Sequence, residues 1–157
     1  MNLYGKKILV LGMGETGLSI VKWLSRIGSD IRVADNRIVP PNLSVLEQII
    51  PADQIFTGPF LAKIFKGIDL IAISPGISRT IPLINQVIKR GVPVVGDIEL
   101  FSLALNQCDV SKPKIIAITG SNGKTTVSAM VGSMLREAGW DTEVAGNIGP
   151  AVLDKLM

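Results

Sequence analysis

Short apolar segments rich in β-branched residues alternate with helix-length amphipathic stretches along the whole chain. Such alternation is typical of a parallel α/β sheet, in which a crossover helix follows each strand. The pattern predicts strands at residues 6–11, 31–34, around 55, 70–73, 92–95, 114–118 and 142–145. It predicts helices at residues 16–27, 44–50, 82–90, 99–106 and 124–138, and a further helix opening after residue 150. Three of these helices stop at a glycine, namely Gly28, Gly91 and Gly139.

The predicted elements fall into two unequal units. Residues 107–113 are polar and contain a proline, which is typical of a seam between domains. We predict a Rossmann-like parallel-sheet domain over residues 1–97 and the beginning of a P-loop α/β domain over residues 98–157. The second unit has too few strands to form a sheet with both faces covered. We therefore expect the sequence to be a piece of a longer protein.

Composition narrows the chemistry that this segment can perform. The absence of histidine excludes Ser/His/Asp and Cys/His nucleophilic sites and His-based metal sites. The single cysteine, Cys108, excludes an internal disulfide and a multi-cysteine metal site. The apolar runs are much shorter than the roughly 18 residues that a membrane span needs, and the net charge of +3 forms no basic stripe. We expect a soluble, cytoplasmic protein that binds phosphorylated small molecules and neither nucleic acid nor membrane.

The first chemical motif is GMGETG, which lies directly between a predicted strand and a predicted helix. In this context Gly12 permits a tight turn, Gly14 lets a diphosphate approach the backbone, and Gly17 allows close packing of helix on strand. Thr16 adds a hydroxyl donor, and Asp35 follows at the offset of about twenty residues at which an acidic side chain takes ribose hydroxyls. The motif predicts a site for a diphosphate and a ribose and leaves the base open.

The second motif is ITGSNGKTT, residues 118–126, again between a predicted strand and a predicted helix. Its glycines let backbone amides cradle phosphates, Lys124 would hold the β- and γ-phosphates, and the Thr125 hydroxyl would ligate Mg²⁺. The general P-loop pattern has a glycine six positions before the lysine, where this chain has Ile118. The loop is thus a more compact variant whose phosphate-binding end is intact.

Together these motifs resemble those of the Mur ligases, ATP-dependent amide-forming enzymes of peptidoglycan synthesis. The resemblance covers the whole chain and is greatest for the members that add D-glutamate. Asn122 stands where the members that add L-alanine carry histidine, and the later enzymes of the pathway lack this kind of N-terminal nucleotide domain. The matching segments are GMGETG at 12–17, Asp35-Asn36-Arg37, SPGI at 74–77, GDIELF at 96–101, TGSNGKTT at 119–126 and GNIG at 146–149.

The resemblance implies two sites, and it reassigns the first motif from a redox dinucleotide to a UDP-sugar. The implied UDP-substrate contacts are Gly14, Glu15 through its backbone amide, Thr16, Gly17, Asp35, Asn36, Arg37, Ser74, Pro75, Gly76, Ile77 and Asn147. The implied ATP contacts are Gly120, Ser121, Asn122, Gly123, Lys124, Thr125 and Thr126. Lys124 and Thr125 are the implied catalytic residues, with Thr125 on the metal.

The reaction implied by the resemblance uses ATP and Mg²⁺ to phosphorylate the carboxylate of UDP-N-acetylmuramoyl-L-alanine. The amino group of D-glutamate then attacks the acyl phosphate and forms the amide. The family's other Mg²⁺ ligands, its modified lysine, and its adenine and D-glutamate sites would lie beyond Met157. We therefore expect this segment to be inactive alone, to bind the UDP-substrate measurably but weakly, to bind ATP poorly, and to be monomeric.

Two other classes of protein remain open on the sequence. An NAD-dependent Rossmann oxidoreductase would use GMGETG and Asp35, but it requires further Rossmann strands after residue 100, where a second phosphate loop stands instead. A nucleotide-dependent switch would use the second loop, although this segment contains no guanine-reading motif. Binding of NADH or selective binding of GTP would distinguish them.

Overall fold

A computed structural model of the chain describes residues 2–107, 113–146 and 149–157. Its first part forms a five-stranded, entirely parallel sheet with strand order β3-β2-β1-β4-β5. The strands are β1 Lys7–Leu11, β2 Asp30–Asp35, β3 Ile55–Thr57, β4 Leu70–Ile73 and β5 Val94–Val95. The α-helices are α1 Glu15–Arg26, α2 Leu43–Leu46, α3 Pro82–Lys89, α4 Asp97–Gln107 and α5 Lys124–Glu137. Short 3₁₀ turns occupy Ala52–Gln54, Ala62–Phe65 and Val152–Leu156.

The central strand is apolar on both faces because helices cover both faces of the sheet. Ile8 and Val10 point into a cluster with α1 and α4, whereas Leu9 and Leu11 point into a second cluster with α3. All four side chains are fully buried. The sheet is therefore doubly wound, as the Rossmann-like prediction for the first unit requires.

Most predicted elements of the first unit form within two residues of their expected bounds, and the differences at α2, β5 and α4 have local causes. α2 is shorter than the predicted 44–50, because Gln48 N and Ile49 N donate three residues back, to Val45 O and Leu46 O, and Pro51 disfavours helix at the preceding residue. β5 begins later than residue 92, because Pro93 has no amide hydrogen to donate. α4 begins at Asp97, two residues early, where the Gly96 amide donates to Glu99 Oε2 at 2.9 Å.

The second unit differs from the prediction. α5 forms as expected and ends at Glu137, and Gly139 follows in a left-handed conformation (φ 82°). The strands predicted at 114–118 and 142–145 do not form in the part of the chain that the structure describes. Ile115 and Ile116 are 64% and 60% exposed. A parallel strand needs a neighbour for its backbone hydrogen bonds, and neither segment pairs with the first sheet.

The last residues return to the first unit. The 3₁₀ turn Val152–Leu156, which replaces the helix predicted after residue 150, packs on α1 and α4. Leu153 is fully buried there, and Arg26 Nη1 donates to the backbone carbonyl of Met157 at 2.7 Å. In the described ranges, no helix is long and apolar enough to cross a membrane.

Candidate functional site

The sheet has one topological switch point, between β1 and β4. The chain passes from β1 to β2 on one side, whereas β4 pairs with β1 on the other. Open α/β sheets bind ligands in the crevice outside the carboxyl ends of the strands at such a point. The GMGETG loop follows β1 and the SPGI turn follows β4, so both motifs lie at this crevice.

The three glycines of the first loop have different surroundings. A Cβ on Gly17 would lie 1.8 Å from the carbonyl oxygen of Gly12, and a Cβ on Gly12 (φ 101°) would lie 2.8 Å from Ser74 Oγ. A Cβ on Gly14 would meet nothing within 4 Å. Gly12 and Gly17 are therefore required for packing, whereas Gly14 leaves open space over the loop. The positive φ of Gly12 and the close contact at Gly17 agree with the turn and the packing predicted for them, whereas the approach of a diphosphate to Gly14 stays a prediction.

The start of α1 is suited to an anion. Gly14 is the N-cap and no side chain caps this end of the helix. Helix N-termini carry unpaired amides and a partial positive charge, which together attract phosphate. Glu15 is exposed and Thr16 is half-buried in the first turn, so the predicted hydroxyl donor lies at the helix end.

Asp35 is buried beneath the loop and its carboxylate accepts four hydrogen bonds. Met13 N donates to Oδ2 at 2.7 Å and Arg37 N donates to Oδ1 at 2.9 Å. The Arg37 guanidinium adds a bidentate pair at 2.8 and 2.7 Å. These bonds, first of all the side-chain bond from Arg37, outweigh the effect of burial and lower the pKa of Asp35 from 3.8 to about 2.

The geometry changes the interpretation of Asp35 as a ribose contact. Four donors use the roughly four lone-pair positions of a carboxylate, and the side chain is only 2% exposed. Asp35 instead ties the glycine loop to the turn after β2, where it holds Arg37. Arg37 is half exposed and Asn36 is exposed, so these two neighbours remain available to a ligand.

The SPGI turn forms the other wall of the crevice. Ser74 N donates to Leu11 O at 2.9 Å, and Ile77 N closes the turn on Ser74 O at 3.0 Å. The Ser74 hydroxyl is buried and has no hydrogen-bond partner within the described structure. Pro75 and Gly76 are exposed and Ile77 is half-buried. The turn thus brings a buried hydroxyl against Gly12 and a short exposed backbone segment beside it.

Sequence reasoning missed Asn42, which lies in the loop between β2 and α2. Its Nδ2 donates to Met13 O at 3.2 Å and to Glu15 Oε1 at 3.1 Å. It is the N-cap residue of α2, yet its side chain makes no capping bond there. Asparagine before a helix predicts a cap from sequence, and nothing in the sequence indicates this contact with the glycine loop.

The second glycine-rich loop leads into α5 and is exposed from residue 119 to residue 127. A Cβ on Gly120 (φ 155°) would lie 3.7 Å from the backbone oxygen of Asn122, and a Cβ on Gly123 (φ 74°), the N-cap of the 14-residue helix, would meet nothing within 4 Å. Lys124 Nζ donates to the carbonyls of Gly120 and Ser121 within the same loop. Ser121, Asn122, Thr125 and Thr126 are all exposed there, whereas Asn147 lies outside the described residues.

The part of the chain that the structure describes offers few protein ligands for a metal ion. No group of three or more Asp, Glu, His or Cys side chains lies close enough together there to hold one. Glycines with positive φ at a helix N-terminus, followed by lysine and threonine, do fit a nucleotide phosphate with a metal that it carries. The loop is thus compatible with a phosphate-bound Mg²⁺.

Two family models match the chain, one on each unit. Residues 6–96 match the model described as Mur ligase MurD-like, N-terminal domain. Residues 118–155 match the model described as Mur ligase middle domain. The first match spans more than half of the chain and includes the glycine loop, Asp35 and the SPGI turn.

Curated relatives match the whole chain. It is 60% identical over 157 residues to the UDP-N-acetylmuramoylalanine--D-glutamate ligase of Nitrosomonas europaea and 61% identical to that of Nitrosomonas eutropha. Each alignment covers 100% of this chain and 33% of the relative. The chain therefore spans about a third of the length of these relatives.

Solved structures with the same fold include a murein peptide ligase from Psychrobacter arcticus, at 25% identity and a TM-score of 0.56. That alignment covers 90% of this chain and 28% of the other. A second structure, the UDP-N-acetylmuramate:L-alanyl-γ-D-glutamyl-meso-diaminopimelate ligase of Neisseria meningitidis, aligns at 21% identity and a TM-score of 0.54. It covers 93% of this chain and 45% of the other, and it supports the fold alone.

Proposed function

The chain belongs to the Mur ligase family, and from that membership we propose that it carries the UDP-substrate unit and the phosphate loop of an ATP-dependent ligase. The reaction we propose for the whole protein is the addition of D-glutamate to UDP-N-acetylmuramoyl-L-alanine in peptidoglycan synthesis. Its substrates would place it in the cytoplasm. One observation carries this proposal: a Rossmann-like crevice with a glycine loop and a second phosphate loop occur on the same short chain.

Residues 1–97 are proposed to hold the UDP part of the substrate. The diphosphate would lie over Gly14 and accept hydrogen bonds from the amides at the start of α1, with the Thr16 hydroxyl as a further donor. Arg37 and Asn36 are exposed beside the loop and would contact the uridine, while Asp35 fixes Arg37 in place. The buried Ser74 hydroxyl, without a partner in the described structure, would donate to the ligand across the crevice.

Residues 98–157 are proposed to begin the ATP-binding unit. Lys124 would exchange the loop carbonyls for the γ-phosphate, and Ser121, Asn122 and Thr126 would complete the phosphate cradle with the amides of Gly120 and Gly123. The Thr125 hydroxyl would ligate Mg²⁺, which supplies charge neutralisation on the transferred phosphoryl group. Asn147, outside the described residues, would contact the substrate near its reacting end.

The proposed reaction balances in two steps. The carboxylate oxygen of the L-alanyl group takes the γ-phosphoryl group of ATP, breaks its bond to the β-phosphate and releases ADP. The amino group of D-glutamate then attacks the acyl carbon, forms the amide and expels inorganic phosphate with loss of one amine proton. This chain contributes positioning and positive charge to the first step.

Thermal unfolding with separate ligands tests the proposal. UDP-N-acetylmuramoyl-L-alanine, UDP, NADH and MgATP are each added in excess, because a ligand that binds only the folded state raises its stability. We expect an increase in Tm with both UDP compounds and none with NADH. An increase with NADH alone would mean that the glycine loop serves a redox dinucleotide, and the ligase proposal would fail.

Two variants localise the binding. Gly14→Leu fits the fold, because its Cβ meets nothing within 4 Å, but its side chain would fill the space proposed for the diphosphate. We expect this variant to keep its unliganded Tm and to lose the response to UDP. Lys124→Met should leave UDP binding intact and abolish phosphoryl transfer in a longer active form of the protein, whereas the exposed Lys89→Met should change neither.

A further inference from the structure

The contact between Asn42 and the glycine loop has a consequence for how the crevice accepts an anion. Both partners of the Asn42 amide, Met13 O and Glu15 Oε1, are hydrogen-bond acceptors. The amide must therefore present its nitrogen to them, and its two N–H groups suit two acceptors. One side chain thus joins the loop after β2 to both the backbone of the glycine loop and the first side chain of α1.

The position of Asn42 is unusual for its residue type. Asparagine at an N-cap normally accepts a hydrogen bond from an amide of its own helix. Here the backbone carbonyl of Asn42 accepts from Leu46 N at 3.0 Å, but the side chain makes no cap. The Asn42 side chain therefore contacts Glu15 and does not cap α2. Two prolines, Pro40 and Pro41, precede Asn42 and restrict the backbone that presents it.

The contact with Asn42 affects where the carboxylate of Glu15 lies relative to the amides at the start of α1. It is the first residue of α1, where a negative side chain is attracted by the same unpaired amides that would bind a phosphate. A carboxylate lying on those amides would compete with the diphosphate and repel it. The Asn42 amide instead holds Oε1 on the side of the β2–α2 loop.

We propose that Asn42 is a positioning residue that holds the Glu15 carboxylate away from the amides at the start of α1 and so opens them to a diphosphate. This proposal rests on the proposed function, since it presumes that a nucleoside diphosphate binds at the crevice. It makes Asn42 and Glu15 a coupled pair: Asn42 matters for binding only while residue 15 carries a negative charge.

A double-mutant cycle tests the coupling through the Kd of UDP, measured by isothermal titration calorimetry on this chain at low salt. Asn42→Ala should weaken UDP binding by on the order of fivefold, the effect of one typical hydrogen bond. Glu15→Gln should bind UDP as well as the original chain or better. The double variant should bind within about twofold of Glu15→Gln, because the charge that Asn42 controls is gone. Asn85→Ala, an exposed asparagine on α3, is the matched control and should have no effect.

The outcomes separate the two proposals. No binding of UDP to the original chain would refute the proposed function itself. Binding that Asn42→Ala leaves unchanged, or that Asn42→Ala weakens equally in the Glu15→Gln background, would refute only the role of Asn42 in positioning the charge. If Asn42→Ala fails to fold, Asn42→Asp keeps the size of the side chain and sets a second carboxylate against Glu15. It should weaken UDP binding more than Asn42→Ala would, and Glu15→Gln should restore part of it.

Discussion

The two glycine-rich loops carry similar chemistry in very different surroundings. In the first, Gly12 N donates to Ala34 O at 2.8 Å and Met13 N donates to Asp35 at 2.7 Å, so neighbouring strand β2 fixes the loop. In the second, residues 119–127 are exposed, and Lys124 Nζ donates to the loop's own carbonyls at Gly120 and Ser121. A glycine-rich loop is thus shaped by the strands beside it as much as by its glycines.

Gly17→Ala should show the largest difference between the two loops. Its Cβ would lie 1.8 Å from a backbone oxygen, so the loop or α1 must shift. We expect a loss of about 3 kcal/mol or more in the free energy of unfolding. Gly123→Ala, with a positive φ but open space, should cost only about 1 kcal/mol. Urea unfolding of both variants checks this, and equal losses would mean that the first loop is no more tightly fixed than the second.

Leu153→Ala should give the next largest loss in the free energy of unfolding. This variant tests the contact between residues 152–156 and the first unit. Leu153 is fully buried against the core of the first unit. Truncation of a buried leucine costs about 2–5 kcal/mol, and we expect the lower part of that range for a site near a surface turn. Trp23 is buried in α1 and reports this unfolding by fluorescence in a Trp140→Phe background. Met134→Ala, on the exposed face of α5, is the control. A loss below about 0.5 kcal/mol for Leu153→Ala would show that residues 152–156 do not pack on the first unit.

Asp35→Asn should remove a pH-dependent contribution to the free energy of unfolding of the first unit. The bonds from Arg37 and Met13 lower the pKa of Asp35 from 3.8 to about 2. A group with a lowered pKa in the folded state stabilises it above the unfolded pKa, and this stabilisation is lost as pH falls through the folded pKa. The window therefore runs from about pH 4 down to about pH 2, and the contribution is about 2 kcal/mol.

The measurement is the difference in unfolding free energy between the original chain and Asp35→Asn at pH 7, pH 4 and pH 3. We expect a difference of about 2 kcal/mol at pH 7 that shrinks towards acid pH. Asp53→Asn, at an exposed position, is the control and should cost under about 0.5 kcal/mol at pH 7. A difference that stays constant with pH would contradict the ion pair with Arg37.

Ile116→Ser should give the smallest change in the free energy of unfolding. This variant tests whether residues 114–118 pack as a strand. Ile116 precedes the second loop as Leu9 precedes the first, yet Ile116 is 60% exposed and Leu9 is fully buried. Because a surface substitution changes stability by about 0.5 kcal/mol or less, we expect Ile116→Ser to lie in that range. Leu9→Ser should cost several times more. A large loss for Ile116→Ser would show that residues 114–118 pack as a strand after all.

Much of the first unit could be predicted because its signals are local. The alternation of apolar runs and amphipathic stretches predicted all five strands, and the context of GMGETG predicted the turn at Gly12 and the close packing at Gly17. The same reasoning was wrong for residues 114–118, whose apolar pattern is as strong as that of β1. Strand propensity needs a paired neighbour, and the described chain provides none there.

The sequence by itself determined the class of the sheet and the position of both glycine-rich loops, because turn geometry and hydrophobic period are properties of adjacent residues. Only the tertiary structure decided that the Asp35 carboxylate accepts from Met13 and that Asn42 reaches Glu15 on the neighbouring glycine loop. The Met13–Asp35 and Asn42–Glu15 contacts join residues 22 and 27 positions apart. Their partners are chosen by how the strands and loops meet in space, which no local pattern records.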